Sequence, residues 1–151
     1  MDHHSVINGI DMSNVLFMLL SNTGGREITQ KTFEFWQNGR IRDELRYADY
    51  ERLTLKGAYN EVGGLQKSLI IDKSLIDVYV PFLPLEQKHV RQCIERELMD
   101  RGFDLKDIPN DFTEQVISDL AFWPVETQIY SSTGCKRVSQ KVDQVLYEYE
   151  L

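Results

Sequence analysis

The chain has 151 residues, 42% hydrophobic and 27% charged, with a formal net charge of −7. That balance fits one respectable globular core and excludes a disordered chain, and the acidic excess argues against a general nucleic-acid surface, which needs clustered Lys and Arg. No run approaches the roughly 18 apolar residues that span a bilayer, and no basic segment followed by an apolar one opens the chain, so the expectation is a cytosolic protein or a piece of something longer.

Residues 1–14 are polar, with Asn8-Gly9 as a turn signal. The run Val15-Leu16-Phe17-Met18-Leu19-Leu20 follows, bounded by turn chemistry, and its length and flanks predict a strand buried on both faces of a parallel sheet. It ends in Ser21-Asn22-Thr23-Gly24-Gly25. Ligands of parallel α/β sheets sit beyond the carboxyl ends of strands, so Asn22 is either a site residue or the start of a loop turn. A helix is predicted from Thr29 to Gln37, with Ile28, Thr32, Phe33 and Trp36 on one face and Asn38-Gly39 at its end. Arg40, Arg42, Asp43, Glu44 and Arg46 read as a solvated mixed-charge patch. Tyr50, Leu53, Leu55, Ala58 and Tyr59 suggest a second helix closed by Gly63-Gly64. After an apolar segment at 65–77, Val78 to Leu85 reads as a strand whose prolines, Pro81 and Pro84, fit only an edge or a strand end.

Beyond Leu85 the texture becomes helix after helix, with no further strand signal. Glu86 to Arg101 carries the stripe Val90, Cys93, Ile94, Leu98 and ends at Gly102. Pro109 to Ala121 places Phe112, Val116, Ile117 and Leu120 on one side, with Pro124 as a stop. The last helix, Arg137 to Tyr149, carries Val138, Val142, Val145, Leu146 and Tyr149. The change near residue 85 divides the expected fold: a parallel α/β part over 1–85 and an all-α domain over 86–151.

Just ahead of the last helix stands Ser131-Ser132-Thr133-Gly134-Cys135-Lys136. Helix starts offer unpaired N–H groups and suit anions, yet a lysine there runs against the preference for acidic residues in the first turn. The stretch reads as a phosphate-facing lysine beside a redox-sensitive cysteine, or as a solvated lysine after an ordinary loop. Cys93 and Cys135 form no CxxC, and His3, His4 and His89 complete no zinc spacing, so no metal site is expected. The two cysteines are two small hydrophobes or one disulfide; composition does not choose.

Taken jointly, Leu16-Phe17-Met18-Leu19-Leu20-Ser21-Asn22-Thr23-Gly24-Gly25, Phe35-Trp36 with Gly39 and Arg42, Leu75-Ile76-Asp77, Val80-Pro81-Phe82-Leu83-Pro84-Leu85 with His89 and Cys93, and Gly134-Cys135-Lys136 resemble the C-terminal part of a torsin. Torsins are AAA+ ATPases related to the Clp-type unfoldases, and the likeness runs from about residue 8 to 147. It implies a partial AAA+ large domain over 1–85 and a small helical lid over 86–151. Asn22 then matches the first sensor, which orients the attacking water at the γ-phosphate. Lys136, with Gly134 beside it, matches the second sensor, which reaches the nucleotide phosphates with a point charge instead of an arginine fork. Cys135 and Cys93 match a cysteine pair whose disulfide would make nucleotide contact redox-dependent.

Leu75 occupies the position where Clp relatives carry the arginine finger, so the resemblance implies that an activator of the lamina-associated-polypeptide type supplies that arginine. A missing finger is expected to cost on the order of a thousandfold or more in rate; Lys73 is two residues away and is no substitute. No G-x-x-x-x-G-K-[ST] loop and no apolar run ending in paired acids occurs in the sequence. The family's cofactors are ATP and Mg, and this chain alone is expected neither to bind nucleotide tightly nor to hydrolyse it. The family also implies the endoplasmic reticulum lumen and nuclear envelope, a chaperone-like role, a homo-oligomer as one assembly, and membrane association that is indirect or through an upstream segment. The alternative is a non-catalytic module that docks activators or full-length torsins through the lid. Half a parallel sheet exposes unpaired edges, so residues 1–85 are expected to fold poorly by themselves.

Overall fold

The computed structural model describes residues 6–11, 14–60 and 76–150. It divides into two compact units, Met1–Leu83 and Pro84–Leu151.

The first unit opens with a short antiparallel hairpin, β1 (Val6–Ile7) and β2 (Ile10–Asp11), turned by Asn8-Gly9. Helix α1 (Gly25–Gln37) and helix α2 (Tyr47–Asn60) pack together, with a 3-10 turn at Arg42–Glu44 between them. The buried positions of α1 are Ile28, Thr32 and Phe35. The predicted face is thus corrected: Trp36 is exposed and stacks on Phe33 at 5.7 Å, while Phe35 turns inward under the Arg40 guanidinium at 4.8 Å. Positions 28, 32 and 35 follow the i, i+4, i+7 spacing of one helix face; Ile28 and Thr32 lie on the predicted face, and the three nearby aromatics leave its edge ambiguous. Arg40 and Glu44 approach to 3.8 Å across exposed surface, in keeping with a solvated patch.

Thr32 is buried because its polarity is satisfied. Its hydroxyl donates to the Ile28 carbonyl at 2.7 Å, one turn back, so the Tyr50 hydroxyl at 2.8 Å is the donor to Thr32. Tyr50 is 1% exposed, and burial pushes its phenol pKa up, which keeps that proton in place. The chain Tyr50 to Thr32 to Ile28 is the polar link between α1 and α2. A second link is a close approach of backbones: a Cβ on Gly57 would lie 2.9 Å from Gly24 Cα and 3.0 Å from Gly24 N.

The parallel sheet expected over 1–85 is not found among the described residues. Val15–Leu20 lies in no strand or helix, with Leu16 80% and Leu20 86% exposed. Val78–Leu85 likewise forms no regular strand, and Phe82 is 79% exposed. A strand exists only in hydrogen-bonded pairs and is buried on both faces only where other elements cover it; among the described residues neither run lies in a strand ladder, and Val78–Leu85 has separate contacts such as the Ser131 N–H on the Leu85 carbonyl and the Tyr79 N–H on the Tyr47 hydroxyl. Asn22 is therefore not at a strand tip here. Leu65, Leu69, Ile70, Ile71, Gly63-Gly64, Lys73 and Leu75 lie outside the described residues.

The second unit is built on helices α3 (Gln87–Asp100), α4 (Phe112–Ser118) and α5 (Val138–Glu148). Their inward faces form one core: Val90, Ile94 and Leu98 from α3, Phe112, Val116 and Ile117 from α4, Val142, Val145 and Leu146 from α5. Glu86 and His89 cap α3 reciprocally, the Glu86 N–H donating to His89 Nδ1 at 3.0 Å. At its other end Gly102 N–H reaches the Met99 carbonyl and Phe103 N–H the Leu98 carbonyl, a Schellman closure that folds Phe103 onto the core. Helix α4 is shorter than predicted, because Pro109 to Asp111 form a turn that hands over at Phe112.

The all-α expectation for this unit is corrected too. Strands β3 (Phe122–Trp123) and β4 (Tyr130–Ser131) form an antiparallel hairpin, and Glu86 bridges to Tyr130 beside it. Pro124 thus lies in the hairpin turn rather than serving only to stop α4.

Two outcomes test the first unit. Thr32→Val strands the buried Tyr50 hydroxyl and is expected to cost about 1–3 kcal/mol, whereas Tyr50→Phe removes one bond and leaves Thr32 satisfied, at about 0.5–1.5 kcal/mol. Hydrogen exchange of α1 amides reads the difference, and an equal or reversed ranking contradicts the donor order. Gly57→Ala, normally a gain of about 1 kcal/mol inside a helix, is expected instead to loosen α1 from α2, seen as faster exchange in both helices.

Candidate functional site: a disulfide-pinned turn ahead of the last helix

The candidate site of the second unit grows from the turn between β4 and α5. Gly134 has φ +59, a left-handed conformation natural to glycine, and an added Cβ would stand 3.7 Å from Leu85 Cδ1. Cys135 follows, its carbonyl accepting the Val138 N–H at 3.1 Å and so leading into α5. Its sulfur is bonded to Cys93 of α3, with Cα atoms 6.2 Å apart and a sequence separation of 42. Both cysteines are partly buried against the helical core, so Cys93 belongs to the apolar stripe and to a covalent link at once.

Lys136 is exposed, with its backbone N–H on the Thr133 carbonyl at 3.3 Å. The helix N-cap is Arg137, so the lysine stands one residue outside the helix and not in its first turn, and no acidic residue occupies that turn. Arg137, itself a cation, occupies the cap, so the arrangement still runs against the helix dipole. Among the described residues no ion pair engages Lys136, in contrast to Lys141, which reaches Asp119 at 3.2 Å, and Lys88, which reaches Glu86 at 3.1 Å.

Ionic forks brace the helices around this turn. Arg91 of α3 grips Glu114 of α4 with two nitrogens, one at 2.9 Å, which holds the Glu114 carboxyl below the usual carboxylate range and the guanidinium above its own. Arg101, the α3 C-cap, reaches Glu97 at 2.8 Å, Asp143 of α5, and the Ser139 hydroxyl at 3.0 Å. These ties join α3 to α4 and α5, and the disulfide joins α3 to the turn before α5.

Of the residues singled out in the sequence, Cys93, Gly134, Cys135 and Lys136 are brought together. Asn22 lies in the first unit, exposed, in the two-residue lead to the Thr23-Gly24 turn, where its carbonyl accepts the Gly25 N–H at 3.3 Å. Its neighbours Ser21 and Thr23 share a hydroxyl contact. Ser131, which heads the stretch singled out in the sequence but was given no role there, donates its hydroxyl to the Gly134 carbonyl at 2.9 Å and its N–H to the Leu85 carbonyl at 2.8 Å. The available signal was the aromatic pair Trp123 and Tyr130 around a proline-containing turn, which marks the hairpin that positions Ser131.

Residues 85–145 match the family model described as Torsin-1A, C-terminal domain. That range begins at the bridge into α3 and runs well into α5, so the class is a torsin C-terminal helical domain. The chain is 43% identical over 143 residues to a torsin-like protein of Caenorhabditis elegans, covering 95% of this chain and 40% of that relative. It is 34% identical over 147 residues to a torsin-like protein of Drosophila melanogaster, covering 97% of this chain and 43% of that relative. The chain therefore belongs to the torsin family as a C-terminal portion, spanning less than half the length of these curated relatives. Among the described residues no helix is long and apolar enough to cross a membrane.

Closing a loop between residues 93 and 135 is expected to stabilise the helical unit by about 2–4 kcal/mol, chiefly by restricting its unfolded chain. The double variant Cys93→Ser with Cys135→Ser should therefore melt at lower temperature, and the wild-type chain under strong reductant should follow it. Equal melting of oxidised and double-variant chains would show that the bond is energetically idle.

Proposed function

We propose that this chain is the sensor-and-lid portion of a torsin-like AAA+ ATPase of the endoplasmic reticulum lumen and nuclear envelope, with a chaperone-like role. In this reading Lys136 meets nucleotide phosphate, Asn22 orients the attacking water, and an activator of the lamina-associated-polypeptide type contributes the arginine finger. The observation that carries it is the Cys93–Cys135 bond, which seats an exposed, unpaired lysine on a short turn at the entrance to α5. A flexible ammonium on a pinned backbone suits an anionic ligand that must be gripped in one position and released in another.

A nucleoside triphosphate and its magnesium ion do not find a full set of ligands among the described residues. Lys136 offers one point charge, and among the described residues no group of three or more His, Cys, Asp or Glu gathers to hold a metal. The sequence contains no G-x-x-x-x-G-K-[ST] loop. This chain alone is therefore assigned no hydrolysis: Lys136 contributes through binding, and the role of Asn22 applies to a longer torsin polypeptide that supplies the remaining ligands.

Titration calorimetry tests the reading in two settings. The 151-residue chain alone is expected to show no micromolar affinity for ATP. In a longer torsin polypeptide carrying this portion, Lys136→Ala is expected to weaken ATP binding about tenfold or more, the loss of one charge-assisted contact. Unchanged affinity in that variant overturns the assignment of Lys136.

A further inference from the structure

The turn that carries Lys136 is held on the start of α3 twice. One hold is the disulfide. The other is a set of hydrogen bonds centred on Ser131: its N–H to the Leu85 carbonyl at 2.8 Å, and its hydroxyl to the Gly134 carbonyl at 2.9 Å. Around it the Glu86–Tyr130 bridge and the Ser132 N–H on the Ala121 carbonyl at 2.9 Å fix the hairpin, and Gly134 lies against Leu85. Leu85 and Glu86 lead directly into α3, which carries Cys93 two turns further on. Ser131 thus connects the segment before Cys93 to the residue before Cys135 without using sulfur.

We propose that Ser131 is the positioning residue of the Gly134–Lys136 turn: its two hydrogen bonds keep Cys135 opposite Cys93 and Lys136 at the mouth of α5 when the disulfide is open. A reduced turn that stays in place presents the two thiols to each other at high effective concentration. Its geometry therefore influences how readily the bond closes. Loss of the hydroxyl frees the turn chiefly in the dithiol form, since the closed form retains its covalent hold, and so shifts the equilibrium toward the dithiol. The consequence for nucleotide contact rests on the reading of Lys136 given above; the thiol equilibrium does not.

The test is a redox titration of the full chain with dithiothreitol. The Cys93–Cys135 bond breaks, each sulfur takes a proton from the reagent, and dithiothreitol is left as its cyclic disulfide. Ser131→Ala is expected to favour the dithiol form about three- to tenfold, the weight of one hydrogen bond, and Ser131→Thr, which keeps a hydroxyl, to stay close to wild type. An unchanged equilibrium in Ser131→Ala, or a Ser131→Thr chain that behaves like it, overturns the proposal. Hydrogen exchange on the reduced wild-type chain gives a second arm that needs no variant. Continued protection of the Ser131 and Val138 amides supports an independent hold, and their collapse on reduction overturns it. Wild-type ATP affinity in Lys136→Ala would leave these outcomes untouched and would refute only the nucleotide reading.

Discussion

The second unit depends on how α3 is tied at its start. From one turn of this helix leave a reciprocal cap, Glu86 with His89, a backbone bridge to the hairpin, and, one turn further, the sulfur that fixes the turn ahead of α5. A buried stripe at Val90, Ile94 and Leu98 turns the same helix onto the core. Apolar burial holds three helices together but is indifferent to small rotations of a surface turn. Direction comes from the covalent and hydrogen-bonded ties, and these are concentrated at the turn that carries Lys136.

The first unit solves a different problem with fewer means. Two helices meet through a buried hydroxyl relay and a glycine-on-glycine approach, both intolerant of small changes. Its long apolar segments, Val15–Leu20 and Val78–Phe82, lie in no strand or helix and are exposed in large part. Isolated exposed apolar residues are ordinary on protein surfaces, but runs of this kind are adhesive. The chain matches 40% and 43% of the length of its curated torsin-like relatives.

Legibility in the sequence followed the range of the physical signal. The α3 and α5 stripes were readable because a helix face is encoded within eight or nine residues by spacing alone, and the Gly102 ending because a left-handed closure has a local residue preference. The face of α1 was read correctly at Ile28 and Thr32 and wrongly at its aromatic edge, because Phe33, Phe35 and Trp36 are all apolar and spacing alone does not say which of them turns inward. The hairpin of Phe122–Trp123 with Tyr130–Ser131 was missed because strands of two residues carry no period to detect. Val15–Leu20 had the composition of a buried strand, but composition describes what a segment would bury and not whether a partner is there to cover it.

For the site, the sequence by itself determined which groups exist: a glycine able to turn left-handed, a thiol and an ammonium in consecutive positions, and a second thiol on a helix face. The torsin resemblance paired the thiols in advance, although spacing alone left them open. Only the tertiary structure decided that Cys93 and Cys135 stand with Cα atoms 6.2 Å apart, that Lys136 falls outside the first turn of α5, and that Ser131 clamps the turn. The reason is physical: identity and local conformation are properties of a few neighbouring residues, whereas a bond between positions 42 residues apart is set by the packing of helices that bring them together.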